Sequence, residues 1–151
     1  MLRVFVYGTL KRGQRNHDFY CQGVEEISEA ITVGQLFDLP FGFPGLRVPV
    51  QSVHATGSAD YCADALRNGP AVRSMPDAAH PWGPVHGELM AFPDPASLSR
   101  LDALEGYTPG EKGLYERVLV PVEAHDETRL AWAYAITREI GSRLPGGRWP
   151  A

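Results

Sequence analysis

The sequence predicts an α+β domain, a mixed or antiparallel sheet curled toward a barrel and flanked by short helices. Five or six short runs are rich in β-branched and aromatic residues, while helical spacing is confined to brief stretches between them. The last two runs, at about 116–124 and 130–137, are joined only by the polar turn His125-Asp126-Glu127-Thr128 and read as a hairpin. A chain of 151 residues with 44% hydrophobic residues suits one core, so a single domain over 1–151 is expected.

The elements follow in order. Residues 3–7 form an apolar run that Gly8 breaks, so a strand runs straight into a turn. Glycine there permits backbone angles that gather successive N–H groups on one concave side, where they bind anionic oxygen. The plainer reading is that Gly8 and Gly13 only shape a surface turn around Thr9. Asn16 to Cys21 reads as a short helix against the sheet, with Asn16 as N-cap and Asp18 in the first turn. A strand is expected over 29–39, then a loop corner at Pro40-Phe41-Gly42-Phe43-Pro44-Gly45.

Residues 48–84 carry the weakest pattern. A helix over 59–68 ending on Asn68-Gly69 is expected, and Pro70, Pro76, Pro81 and Pro84 mark an irregular insertion or lid over about 54–84. A strand follows at 85–92, closed by Pro93. Asp94-Pro95 then opens a helix as N-cap and first residue, with Leu98, Leu101 and Leu104 or Glu105 on one face and Gly106 as the stop. Glu105 thus lies at a helix C-terminus, where the dipole and apolar neighbours disfavour a carboxylate and raise its proton affinity. The tail, 141–151, lacks periodicity and reads as an ordered flap or a loose end.

Composition excludes several classes. A net charge of -4, a pI of about 5.7 and scattered basic residues give no electrostatic reason to bind nucleic acid or an anionic membrane. No apolar run approaches the roughly 18–20 residues that cross a bilayer, so a soluble, cytoplasmic protein is expected, a monomer by default. Cys21 and Cys62 have no CxxC spacing and read as free thiols, and the five histidines lack metal-ligand spacing; no metal is expected. There is no G-x-S-x-G elbow for a serine nucleophile, and Gly8-Thr9-Leu10-Lys11-Arg12-Gly13 is not a P-loop.

Val4-Phe5-Val6-Tyr7-Gly8-Thr9-Leu10-Lys11-Arg12-Gly13-Gln14 with Asn16-His17 resembles the opening of the gamma-glutamylcyclotransferase-like family, particularly its gamma-glutamylamine branch. Leu101-Asp102-Ala103-Leu104-Glu105-Gly106-Tyr107, followed by Tyr115-Glu116-Arg117-Val118, resembles that family's second signature. The resemblance covers the first forty-odd residues and about 85–137; the segment from about His54 to Pro84 appears longer than in short members and receives no family role.

The resemblance implies a six-stranded barrel-like sheet with the site in a cavity at one end. It also implies a cofactor-free reaction: the α-amine of a γ-glutamyl group attacks its own γ-carbonyl, releasing an amine and 5-oxoproline. Glu105 is then the acid/base, and the Tyr7-Gly8-Thr9-Leu10 turn cradles a small-molecule γ-glutamyl substrate. Tyr115 and Tyr134 fall at pocket positions, where a phenol packs against glutamyl methylenes and hydrogen-bonds the catalytic carboxyl; the alternative is half-buried tyrosines of the core. Arg117 and Lys11 are open to two readings, orienting an anionic substrate group or standing solvated at the surface. Two rival functions are a non-catalytic module that binds a small carboxylate in the same fold, and a thiol enzyme using Cys21 or Cys62.

Overall fold

The computed structural model describes residues 1–68 and 75–151, and within them eight strands join in one sheet. The strands are β1 (Leu2–Val6), β2 (Glu26–Asp38), β3 (Pro44–Arg47), β4 (Ala55–Thr56), β5 (Gly83–Phe92), β6 (Tyr115–Ala124), β7 (Glu127–Ile136) and β8 (Ser142–Arg143). The helices are α1 (His17–Tyr20), α2 (Tyr61–Arg67) and α3 (Ser97–Glu105).

The sheet closes on itself. β1 pairs antiparallel with β5, β5 with β2, β2 with β6 where Ile31 faces Glu123, and β6 with β7. The ring is completed by a parallel contact of β7 with β1 at Trp132 and Val4. β3 wedges between β2 and β7. Six strands have four or more residues, which is the expected barrel-like α+β architecture. The two remaining strands are two-residue pairings, β4 on β6 and β8 on β2.

Because strand side chains alternate, both faces of this sheet are buried by residues of opposite parity. Val4 and Val6 of β1, Leu119 of β6 and Trp132, Tyr134 and Ile136 of β7 pack with Leu98 and Leu101 of α3. Phe5, Val118, Val120, Ala131, Ala133 and Ala135, the intervening residues, form a second buried cluster with mostly small side chains. α3 meets the start of β6 and the end of β7 through Asp102, and its last residue shares a cavity with the β1 turn.

Several boundaries differ from expectation for local reasons. The corner at 40–45 is not wholly loop: Pro44 and Gly45 begin β3, opposite Asp38 and Phe37. Proline is tolerated there because it is the first residue of the strand. The hairpin turn has two residues, His125 and Asp126, both at positive φ (54° and 59°), so Glu127 and Thr128 join β7. Asn16 precedes α1 but makes no side-chain cap, since its amide donates to Thr9 Oγ1 instead. Asp94 accepts from the Ala96 N–H in a turn leading into α3, which itself begins at Ser97.

Within 54–84, Asp60 caps α2 by accepting from Ala63 N–H, and Asp64 and Ala65 of α2 are buried. Gly69 and Pro70, read as the end of that helix and the start of the irregular stretch, lie outside the described residues. The tail is ordered. β8 pairs with β2, Leu144 N–H donates to Leu36 O, and His86 N–H donates to Gly147 O.

Candidate active site

A cavity of about 270 Å³ opens where the β1 turn, β3, the end of α3, the start of β6 and the end of β7 converge. Tyr7, Gly8, Thr9, Leu10, Glu105, Tyr115 and Tyr134 all line it. The structure thus brings together the seven residues expected at the acid/base and substrate positions, but not Lys11, Arg117 or either cysteine.

Glu105 is the last residue of α3, and Gly106 ends the helix at φ 67°. Tyr107 N–H donates to Asp102 O and Gly106 N–H to Ala103 O, a Schellman arrangement that fixes the backbone where Glu105 leaves the helix. The side chain is half-buried, and among the described residues nothing donates a hydrogen bond to it. Burial, followed by the nearby Asp102 charge, pushes its pKa up to about 7. The direction is the expected one; the apolar cavity is its principal cause.

The turn is held from within. Lys11 N–H donates to Gly8 O, Asn16 N–H donates to Thr9 O, and Leu10 O lies 2.9 Å from His17 Nδ1. From β5, Glu88 accepts from Arg12 N–H and from Arg12 Nε, each at 2.8 Å. Carbonyls of residues 8–10 are therefore occupied, while none of their N–H groups is engaged in a turn or loop bond among the described residues. Gly8 is a glycine for packing reasons: a Cβ would sit 2.7 Å from Pro44 Cγ and 2.8 Å from its Cδ. The turn and β3 could not meet otherwise.

The tyrosines have defined hydrogen bonds. Tyr7 OH donates to Tyr134 O and accepts from Leu46 N–H, tying β1 to both β7 and β3. Tyr115 OH donates to Pro44 O, and Tyr134 OH donates to Asp102 Oδ1. Burial first, and the Glu105 carboxylate among the further causes, raises all three phenol pKa values, so the rings stay neutral. Tyr115 and Tyr134 are buried core residues that also line the cavity, which corrects their reading as half-buried. Neither hydroxyl bonds the Glu105 carboxyl as the resemblance implied, because Pro44 O and Asp102 Oδ1 take their protons.

Arg117 belongs elsewhere. It is 0% exposed, and its guanidinium donates to both Asp102 oxygens, to Asp64 Oδ2 at 2.9 Å and to Ser58 O. The rings of Trp132, Tyr107 and Tyr61 surround it. It does not line the cavity, which corrects its reading as a substrate anchor or solvated arginine; it reaches the site through Asp102 and Tyr134. Lys11 also turns away, donating to Trp149 O in the tail.

Sequence reasoning missed Arg15, Asn16, Phe43, Pro44, Leu104 and Leu114 as lining residues. Arg15 and Asn16 stood inside the first motif, and Phe43 in the aromatic corner, so proximity to the motif was an available signal; Leu114 had none. Cys21 is buried, with its thiol pushed up to about 12 by burial and its Sγ on Leu10 O, and neither cysteine lines the cavity. That removes the basis for a thiol nucleophile there. Among the described residues, no group of three His, Cys, Asp or Glu is arranged to hold a metal ion, and no helix is long and apolar enough to cross a membrane.

Comparison with known proteins gives the family and the fold. The sequence profile of the family described as gamma-glutamyl cyclotransferase, AIG2-like, matches residues 4–65 and 50–151. A gamma-L-glutamyl-butirosin B gamma-glutamyl cyclotransferase from Niallia circulans is 28% identical over 141 residues, covering 92% of this chain and 69% of that one. Three crystal structures share the fold. YkqA from Bacillus subtilis has a TM-score of 0.60 at 21% identity, over 98% of this chain and 39% of that one. An AIG2-like protein from Mus musculus has a TM-score of 0.57 at 19% identity, over 91% and 78%. An uncharacterized protein from Pyrococcus horikoshii has a TM-score of 0.57 at 20% identity, over 99% and 90%. The profile spans the β1 turn as well as the helix that ends on Glu105, and so the chain belongs to the gamma-glutamyl cyclotransferase, AIG2-like family.

Proposed function

We propose that this chain is a cofactor-free γ-glutamyl cyclotransferase acting on a γ-glutamyl amine or another γ-glutamylated small molecule. Family membership supports γ-glutamyl cyclotransferase activity in general. The observation that carries the finer reading is Glu105, a carboxylate without a hydrogen-bond donor among the described residues, its pKa about 7, beside a turn with free N–H groups.

The reaction needs no protein nucleophile, because the substrate's own α-amine lies within reach of its γ-carbonyl. Ionised Glu105 takes a proton from the α-ammonium. The amine nitrogen then bonds to the γ-carbon, and the carbonyl oxygen becomes an oxyanion that the N–H groups of the 8–10 turn receive. As the oxyanion collapses, the bond from the γ-carbon to the departing nitrogen breaks, and protonated Glu105 returns its proton to that nitrogen. The re-ionised carboxylate passes the second proton shed by the ring nitrogen to the released amine, which leaves protonated. The products are 5-oxoproline and the free amine, with no water consumed. A carboxyl with a pKa near 7 serves both steps at neutral pH better than one at the ordinary value, since base and acid forms are both populated.

Mass-spectrometric detection of 5-oxoproline, after incubation with a panel of γ-glutamyl amines, γ-glutamyl amino acids and γ-glutamylated natural products, tests this reading. Release by the wild type and its near-abolition in Glu105→Gln are expected. Equal release by both proteins would remove Glu105 as acid/base. Binding without release across the panel would instead favour a carboxylate-binding module.

A further inference from the structure

Hydroxyl groups carry one proton each, and at this cavity the protein decides where each proton points. Tyr115 OH lies 2.5 Å from Pro44 O, a carbonyl that can only accept. Tyr134 OH lies 2.5 Å from Asp102 Oδ1, whose carboxylate is already paired with Arg117 and likewise accepts. Both phenol protons are therefore committed to protein acceptors, the carbonyl of Pro44, itself a lining residue, and the Asp102 carboxylate. Each keeps an acceptor lone pair with no donor among the described residues. Tyr7 differs: it donates to Tyr134 O and accepts from Leu46 N–H, so its oxygen is occupied on both sides and acts as a strut.

We propose that Tyr115 and Tyr134 serve the substrate as hydrogen-bond acceptors, forming with the Glu105 carboxylate a subsite for the α-ammonium of the γ-glutamyl group. This rests on the γ-glutamyl reading above and assigns the two phenols a polarity. They cannot donate to a developing oxyanion without giving up Pro44 O or Asp102, which leaves that duty to the turn's N–H groups. They are suited to an ammonium, whose three protons match two phenol oxygens and one carboxylate. The same lone pairs receive the proton of Glu105 once it has become a carboxylic acid, so the acceptor wall fits both ends of the proton transfer. The closeness of the groups has an electrostatic sign: the Glu105 charge is among the causes that raise both phenols.

The test compares two probes that differ only in the amine, L-glutamine and its deamino analogue 4-carbamoylbutanoate, by calorimetric titration of wild type, Tyr115→Phe and Tyr134→Phe. 5-Oxoproline in each sample at the end of the titration reports turnover separately, so loss of the cyclotransferase reading is distinguishable from loss of this one. Wild type should prefer L-glutamine by at least about tenfold, and each variant should lose about tenfold of that preference while binding 4-carbamoylbutanoate within about twofold of wild type. Because Tyr134→Phe also leaves Asp102 one donor short, a thermal melt accompanies each variant, and Tyr115→Phe gives the independent measurement. Equal losses for the two probes would mean that the phenols donate to the shared carbonyl, and would overturn the proposal. So would a wild type that does not distinguish the probes.

Discussion

Asp102 and Glu105 stand one turn apart on α3 and live under opposite conditions. Asp102 is 2% exposed, and its oxygens receive two donors from Arg117 and one from Tyr134. Glu105 faces a cavity with no donor among the described residues. The first is a carboxylate whose hydrogen bonds are satisfied and whose role is to hold strands and helices together. The second is left short of partners, in a place where a ligand can supply them. Unmet hydrogen bonding at a formed cavity, rather than burial or charge by itself, separates the carboxylate proposed as acid/base from the structural one.

The comparison predicts that the two sites fail differently. Glu105→Gln should reduce 5-oxoproline formation about 100- to 10,000-fold, the usual range for loss of general acid–base help. It should not destabilise the fold. The folded pKa of Glu105, about 7, is raised above the unfolded value of roughly 4.3, so its contribution to stability is full below that unfolded value and lost as pH rises through about 7. Thermal melts of Glu105→Gln should therefore meet or exceed those of wild type, with the difference growing between about pH 4 and 7. A lower melting temperature at neutral pH would show that the carboxylate has a structural partner.

Arg117→Met should do the reverse. It leaves Asp64 and Asp102 buried without their shared cation, and breaking a buried pair in this way costs about 3–5 kcal/mol. Urea denaturation would measure the loss. A variant as stable as wild type would mean that the apolar replacement offsets the stranded carboxylates, as happens when whole ion-pair networks are exchanged for hydrocarbon.

What could be read from sequence follows the same division. The strand-to-turn string from Val4 to Gly13 and the Glu105-Gly106 helix end were legible because local pattern and motif coincide there. β3 was not, because Pro44 and Gly45 speak against a strand and only pairing with β2 and β7 makes one. Pairing of the tail with β2 spans more than a hundred residues, and no local signal encodes it. Arg117 was misread although its parity held a clue: it shares a strand face with Tyr115 and Leu119, both buried, and a charge on such a face requires buried partners. Those partners, Asp64 and Asp102, come from two helices that sequence alone does not bring together.

A smaller effect is expected where the turn meets β3. Gly8→Ala would drive a methyl group into the Pro44 ring, an overpacking cost of about 1–3 kcal/mol. Because Gly8 and Pro44 both line the cavity, KM should rise along with the loss of stability. Unchanged melting and kinetics would show that β3 yields freely, and that the turn's position relative to Glu105 is not set by this contact.

The finest discrimination lies in the influence of the satisfied carboxylate on the unsatisfied one. The charge of Asp102 is the second cause of the raised Glu105 pKa, after burial. In the proposed mechanism Glu105 begins the reaction ionised, so kcat/KM in the wild type should rise with pH through about 7 on its acid limb. Asp102→Asn removes the charge while keeping an oxygen that can accept from Arg117 or Tyr134. With one repulsive anion gone, the Glu105 carboxylate is easier to form, and the acid limb should move to lower pH. Loss of stability alone would lower the activity at every pH without moving the limb, so the displacement reports the electrostatic link itself. An unmoved limb would mean that cavity burial alone sets the proton affinity of Glu105, and that Asp102 acts only through the packing of Arg117 and Tyr134.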